Sequence, residues 1–145
     1  MRLFISFCMI ICLSFLSLVA EAVIIEAKRA NVRSSPGTSS EILFVYRQNA
    51  PLEVLETQEN WIKVRDFEKD IGWVSKKVIS EGQRGAIVKV SNANVRKGPS
   101  GDHPVIFVAG YGVAFRVLEQ QGEWFHIQHE DGDMGWVHQE LVYAP

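Results

Sequence analysis

The sequence predicts an all-β protein made of two small barrels in tandem. Ala-Asn-Val-Arg occurs at residues 30–33 and again at 93–96, and Gly-Trp-Val occurs at 72–74 and again at 135–137. One shift of 63 positions relates both pairs without a gap, and it holds over roughly fifty positions. Such a register indicates a duplicated domain rather than a chance match. No segment shows a helical period over about ten residues.

Each copy has the pattern of about five short strands separated by turns. The first strand is rich in β-branched residues, the next turn holds Pro and Gly, and apolar runs follow. Alternation then places Val64 and Val74, with Ile127 and Val137 in the second copy, toward a core. Closing so short a sheet removes its edges, which favours a small barrel. The predicted strands are residues 23–27, 42–46, 52–56, 61–65 and 72–74, then 86–90, 105–108, 115–119, 124–127 and 135–137.

The first 22 residues have the pattern of a signal peptide. Arg2 precedes an uncharged run from residue 3 to residue 20, and Ala20-Glu21-Ala22 forms a small-x-small end. This pattern predicts cleavage after Ala22 and a mature N-terminus at Val23. An uncleaved membrane anchor is the alternative, because eighteen uncharged residues lie at the lower limit of a bilayer span. Either reading places the repeats outside the cytoplasm, periplasmic or secreted.

The repeat divides the remainder into a first domain at 23–80 and a second at 85–145, with a short polar link. Their net charges are +1 and −3, and the whole chain carries −2. Neither net charge favours nucleic acid or an anionic membrane surface as a binding partner. Both cysteines, Cys8 and Cys12, lie in the signal segment. The mature chain is therefore expected to hold no disulfide, thiol nucleophile or thiolate metal site.

The order of motifs resembles the bacterial SH3 domain family. Both copies carry Asn-Val-Arg, a Pro/Gly loop, Trp-x-x-Val or Trp-x-x-Ile, and Gly-Trp-Val, over about residues 23–143. The resemblance implies two SH3-like β-barrels. Family members commonly lie in the bacterial envelope and are often attached to cell-wall hydrolases as targeting modules. Peptidoglycan and its peptides are among the ligands proposed for them. Unlike those members, this chain is expected to have no catalytic domain beside the repeats.

Four tryptophans are the first candidate ligand-binding residues. Alternation places Trp61 and Trp124 opposite the core residues of their strands, and the same holds for Trp73 and Trp136. Two aromatic side chains per copy could line a groove for a peptide or a sugar, because Trp offers rigid area and one hydrogen-bond donor. The alternative is that each Trp fills an open end of its barrel.

Arg33 and Arg96, at the end of each Asn-Val-Arg motif, are the second pair of candidates. A guanidinium group could clamp a carboxylate of a ligand. It could equally tie the following loop to backbone carbonyls, since both copies would need the same brace.

Other polar clusters give weaker indications of chemistry. All four histidines lie in the second copy, at 103, 126, 129 and 138, near Asp131 and Asp133. Imidazole and carboxylate suit Zn²⁺ or Cu²⁺, but the first copy has Lys63, Asp66 and Ser75 at matching positions. Exposed loop histidines and a solvated acidic turn explain the same residues, so we predict no metal and no cofactor. No serine lies in a nucleophile elbow, and we predict no enzyme.

The sequence thus favours an exported, non-catalytic binding module of the cell envelope. The first hypothesis is recognition of peptidoglycan or its stem peptides. The second is an adaptor that docks on an envelope protein, and the third is a rigid pair with a ligand site between the barrels. The predicted partners include no nucleic acid, and a membrane only through the signal segment if it stays uncleaved.

Overall fold

The computed structural model describes residues 20–145, and this part of the chain is built almost entirely from β-strands. The predicted signal segment lies outside the described residues, except for residues 20–22. Two single-turn 3-10 helices, Lys76–Val78 and Gln139–Leu141, are the helical segments of this range. No helix within residues 20–145 is long and apolar enough to cross a membrane. The predicted all-β class is confirmed.

Two seven-stranded antiparallel sheets follow each other along the chain. The strand orders β3-β2-β6-β5-β4-β1-β7 and β10-β9-β13-β12-β11-β8-β14 are the same topology, so the duplicated sequence folds as a duplicated sheet. The first sheet comprises β1 (Ala22–Ile25), β2 (Arg29–Arg33), β3 (Ile42–Arg47), β4 (Pro51–Gln58), β5 (Trp61–Arg65), β6 (Ile71–Ser75) and β7 (Ile79–Ser80). The second comprises β8 (Arg84–Val88), β9 (Asn92–Arg96), β10 (Val105–Gly110), β11 (Ala114–Gln121), β12 (Trp124–Gln128), β13 (Met134–His138) and β14 (Val142–Tyr143).

Strand β1 begins one residue before the predicted mature N-terminus. Ala22 pairs with Glu53 on β4, and the carbonyl of Glu21 accepts a hydrogen bond of 2.8 Å from the N–H of Val54. Cleavage after Ala22 would therefore remove the first residue of this strand and one of its backbone hydrogen bonds. The position of the cut stays a prediction.

Each sheet curls around its own core, since strands that are far apart in the sheet order contribute side chains to the same buried cluster. Val64 and Val74 in the first barrel, and Ile127 and Val137 in the second, have no exposed surface. The predicted inward alternation of β5, β6, β12 and β13 is therefore confirmed. The first cluster also includes Val23, Val32, Leu52 and Ile62, and the second includes Val88, Val95, Phe115 and Phe125.

A β-bulge in β4 and another in β11 give each sheet part of its curl. The register of β4 with β5 shifts between Val54 and Glu56, and that of β11 with β12 shifts between Val117 and Glu119. The extra residue bends the strand. Strand β4 pairs with β1 over residues 51–53 and with β5 over residues 53–58, so the bulge lies within its pairing with β5.

The two barrels are packed against each other rather than separated by a free linker. Ile87 and Ala114 of the second barrel belong to the buried cluster of the first barrel. A Cβ on Gly85 would lie 2.5 Å from the carbonyl oxygen of Asn49 and 2.8 Å from Cγ2 of Ile24. Because no side chain fits there, the backbone of β8 approaches the first barrel closely.

Polar contacts border this apolar interface. Arg116 pairs with Glu26 at 2.9 Å, and the hydroxyl of Tyr143 donates to Glu53. The Tyr111 hydroxyl donates to Glu68 at 3.1 Å, while its ring lies 5.4 Å from that of Phe67. The structure thus has the packed pair of barrels that the third hypothesis requires.

Candidate ligand-binding face

The outer side of each barrel carries a row of four side chains across four neighbouring strands. In the first barrel, cross-strand pairing aligns Arg33 with Trp73, Trp73 with Lys63, and Lys63 with Glu56. Residues directly opposite in an antiparallel pair have Cβ atoms about 4.5–5.5 Å apart on one face. The second barrel repeats the row with Arg96, Trp136, His126 and Glu119. We call this surface, together with Trp61 or Trp124, the aromatic face of each barrel.

In the first barrel the two tryptophans differ in exposure. Trp73 is only 8% exposed, because Arg33 and Lys63 flank it on the adjoining strands. The Lys63 ammonium lies 6.0 Å from its ring centroid, within cation–π range. Trp61 is half-buried between Ser75 and Gln58. The predicted partial exposure of Trp61 is therefore confirmed, whereas Trp73 is largely enclosed.

The second barrel has histidines where the first has Lys63 and Ser75. The His126 ring stacks on Trp136 at 4.7 Å with an interplanar angle of 13°. The Trp124 ring meets His138 edge-on at 5.1 Å. Both tryptophans are half-buried. Partial exposure of Trp124 is thus also confirmed, and this face offers two accessible indole rings instead of one.

Arg33 and Arg96 both hold the loop that follows their strand. Nη1 of Arg33 donates to the carbonyls of Thr38 and Ser40, each at 2.8 Å, and Nη1 of Arg96 donates to the carbonyl of His103 at 2.9 Å. The loop-brace alternative therefore describes contacts that are present in both barrels. A guanidinium group has five N–H donors, so a role toward a ligand stays open for both residues.

The histidines lie at separate places and do not converge on a metal site. Within residues 20–145, no group of three or more His, Cys, Asp or Glu side chains is arranged to hold a metal ion. His129 pairs with Asp131 at 2.9 Å, and His138 lies 3.4 Å from Glu123. The ring of His103 covers Gly98, leaving no room for a Cβ there.

The acidic turn in the second barrel is organised by its own backbone. Asp131 accepts a hydrogen bond from the N–H of Asp133 at 3.0 Å. This bond and the contact with His129 hold the pKa of the Asp131 carboxyl below its usual value. Asp131 is thus a carboxylate at neutral pH, which does not suit it as a general acid.

Sequence reasoning missed the glutamates that end each row. Strict alternation would place Glu56 on the same side as the core-facing Val54, two positions earlier. The bulge at Leu55 reverses this, so that Glu56 pairs with the outward-facing Lys63. The repeated Val-Leu-Glu at 54–56 and 117–119 was the available signal, but it does not reveal a bulge.

Two family models, each described as a bacterial SH3 domain, match the chain over residues 28–80 and 89–143. In the structure, each matched range folds into a curled antiparallel sheet, and the two sheets have the same strand order. The chain therefore carries two bacterial SH3 domains in tandem and belongs to that family. The resemblance found in its motifs is confirmed.

The chain is also similar to cell-wall amidases. It is 29% identical, over 123 residues, to the putative N-acetylmuramoyl-L-alanine amidase YrvJ of Bacillus subtilis, a match that covers 73% of this chain and 23% of that protein. It is 33% identical, over 60 residues, to the probable cell wall amidase LytH of Staphylococcus epidermidis, covering 41% and 21%. The chain thus spans less than a quarter of the length of these relatives.

Among solved structures, NlpC1 from Trichomonas vaginalis aligns with a TM-score of 0.40 and 13% identity, over 89% of this chain and 47% of that one. An NlpC/P60 family protein from Bacillus cereus aligns with a TM-score of 0.40 and 11% identity, over 86% and 56%.

Proposed function

We propose that this protein is an exported, non-catalytic binding module that recognises peptidoglycan or its stem peptides through its aromatic faces. The observation that carries the proposal is the row of Arg, Trp, Lys or His, and Glu, present on both barrels. A peptide ligand has both carboxylate and amide groups, which the arginine beside the aromatic ring and the glutamate at the end of the row complement. The match to two amidases with cell-wall substrates in their names supports the same class of ligand.

The aromatic face gives specific roles to its members. Trp61, Trp124 and Trp136 supply half-buried aromatic surface, which suits them as packing partners for a ligand. Trp73 and the arginines hold the strands and loops that shape this surface. Lys63 provides the cation beside the ring in the first barrel, and the His126 ring stacks on Trp136 at the matching place in the second.

The test is co-sedimentation of the purified protein with purified bacterial sacculi. We expect saturable binding that soluble muropeptides compete away, and no release of muropeptides from the sacculi over time. A matched variant, Lys63→Ala combined with His126→Ala, should weaken binding without loss of fold, because both side chains lie on the outer surface. Protein that stays in the supernatant at every sacculus concentration would contradict the proposal.

A second candidate function, an adaptor for an envelope protein, has one observation in its favour. Strands β3 and β10 end their sheets, and both expose apolar side chains. Exposed apolar residues on edge strands are unusual unless a partner covers them. A pull-down from envelope extract, run beside the sacculus assay, distinguishes the two: a stoichiometric protein partner without sacculus binding favours the adaptor. The exposed residues are Ile42, Leu43 and Val45 on β3, and Val105, Ile106 and Val108 on β10.

A further inference from the structure

The second barrel has a pocket at one end, beside Ala109. Its volume is about 210 Å³, and it is open to solvent. Phe107, Val113 and Phe115 form an apolar floor, while His129, Asp131 and Asp133 lie at its rim. The pocket shares no residue with the aromatic face, so a ligand held there would be independent of the proposed function.

Several lining positions differ between the two copies, and Ala109 is the one at which the second copy lacks an aromatic ring that the first has. Ala109 lines the pocket, and the matching position in the first barrel, 63 residues earlier, is Tyr46. The Tyr46 ring packs against the first core, 5.2 Å from Phe44, and its hydroxyl donates to Asp66 at 3.0 Å. Tyr46 therefore fills in the first barrel the space that Ala109 leaves open in the second.

The residue that accepts the hydrogen bond from the Tyr46 hydroxyl also differs between the two copies. Asp66 corresponds to His129, which pairs with Asp131 at 2.9 Å and packs edge-on against Phe115 at 5.7 Å. The acidic rim itself is common to both copies, since Glu68 and Asp70 match Asp131 and Asp133. With alanine in place of the tyrosine, the half-buried Phe107 and Val113 line a pocket beside acidic residues that both copies carry.

The chemistry of the pocket defines its ligand. Phe115 is fully buried beneath the pocket, whereas Phe107 and Val113 are half-buried, so these two side chains offer the apolar surface that favours an alkyl chain. No Lys or Arg lines the pocket, and its two carboxylates favour a cation over an anion. Drug-sized ligands occupy pockets of about 300–1,000 Å³, so this smaller one suits a single side chain.

We propose that this pocket binds the side chain of a lysine-like residue of a peptide, with its alkyl chain on Phe107 and Val113 and its ammonium beside Asp131 and Asp133. The pocket is specific to the second barrel, because Tyr46 occupies the equivalent space in the first.

Nuclear magnetic resonance titration of the purified protein tests the proposal. The probe is Nα-acetyl-lysine amide, and Nα,Nε-diacetyl-lysine amide is the neutral match. We expect saturable shifts at the amides of Ala109, Val113 and Asp133, with a dissociation constant of about 1–10 mM for so small a probe. The neutral match should bind at least about tenfold more weakly, corresponding to the loss of one charge pair.

Two variants and a control assign binding to the pocket. Ala109→Tyr should abolish the shifts, because the new ring fills the pocket as Tyr46 does. Asp133→Asn, at an exposed turn, should weaken binding severalfold with the fold intact, and it stands as the test if Ala109→Tyr does not fold. Val105→Tyr adds the same bulk to the exposed part of β10, outside the pocket, and should bind normally.

Three results would overturn the proposal. The first is equal binding of the charged and neutral probes, and the second is unchanged binding in both Ala109→Tyr and Asp133→Asn. The third is binding of n-pentylammonium without binding of the lysine amide, since this would assign the pocket to a small amine instead of a peptide.

Discussion

A methyl group of Val32 occupies the place where a Cβ on Gly72 would lie. The second barrel repeats this relationship, with Cγ1 of Val95 2.5 Å from the Cβ position of Gly135. Strand β2 therefore lies close to β6 because Gly72 has no side chain. Strand β9 lies close to β13 for the same reason at Gly135. The Asn-Val-Arg and Gly-Trp-Val motifs are linked for this reason: the valine of one requires the glycine of the other.

Replacing Gly72 with alanine should destabilise the protein by about 1–3 kcal/mol, the usual cost of adding a methyl group to a filled core. Chemical denaturation measures the effect. Gly101→Ala is the control, because a Cβ at Gly101 would meet no atom within 4 Å. Adding Val32→Ala to Gly72→Ala should cost less than the sum of the two single changes, since it removes the collision. Additive costs would contradict this explanation of the motif pair.

The half-buried tryptophans should separate binding from folding. Trp61→Ala and Trp124→Ala are expected to lower stability by less than Trp73→Ala, for which about 3–5 kcal/mol is typical of a buried aromatic side chain. Binding to sacculi should instead fall by about 2 kcal/mol for either variant if the side chain is central to the contact. Thermal melts and binding isotherms on the same preparations give both quantities. Collapsed stability with intact binding would assign both residues to the barrel alone.

Stability should fall in acid partly through Glu53. The Tyr143 hydroxyl, and then the Arg65 guanidinium, donate to this carboxylate and hold its pKa below its ordinary value of 4.5. Because the folded-state pKa is the lower one, the stabilisation is present above the ordinary value and is lost as pH falls through the folded-state pKa. Glu53→Gln should therefore show a shallower loss of stability below about pH 5 than the unchanged protein. Parallel curves for the two proteins would contradict it.

The turn at Glu59 in the first barrel should be more stable with glycine, the residue at the matching position of the second barrel. Glu59 begins the two-residue loop between β4 and β5 at φ 53°, a left-handed conformation, and its counterpart Gly122 has φ 56°. A residue other than glycine is strained there. Glu59→Gly should stabilise the protein by up to about 1 kcal/mol, and Gly122→Glu should destabilise it by a similar amount. Denaturant midpoints for both variants test the pair, and a destabilised Glu59→Gly would show that the side chain makes a compensating contact.

Export with cleavage after Ala22 predicts a protein that begins at Val23. N-terminal sequencing of the extracytoplasmic fraction is the measurement. Because Ala22 pairs with Glu53 on β4, a cut one or two residues earlier would keep the whole of β1. Full-length protein confined to membranes would favour the anchor instead.

The fold could be predicted from the sequence because its signals are local and occur twice. Alternation placed Val64 and Val137 correctly, since no bulge interrupts β5 or β13. The same reasoning fails at Glu56, where the bulge at Leu55 reverses the direction of the side chain. Bulges depend on the curvature of the closed sheet, which no short sequence window records.

The candidate sites were harder to predict, because they depend on the space between strands. The exposure of Trp61 follows from alternation alone, whereas the enclosure of Trp73 depends on Arg33 and Lys63 from two neighbouring strands. The end pocket arises where the core lacks a ring, at Ala109. Only the comparison with Tyr46 in the other barrel makes that absence visible.

The interface between the barrels uses the same pair of strands from each copy, β1 and β4 against β8 and β11. A two-fold contact would repeat each residue pair with the copies exchanged. Arg116 pairs with Glu26, whereas Glu53, which matches Arg116, accepts hydrogen bonds from Tyr143 and Arg65. Equivalent positions have since diverged, with Glu53 in the first barrel where the second has Arg116. The two barrels therefore meet through different residues of each copy, so that each barrel is fitted to the other and not to a copy of itself.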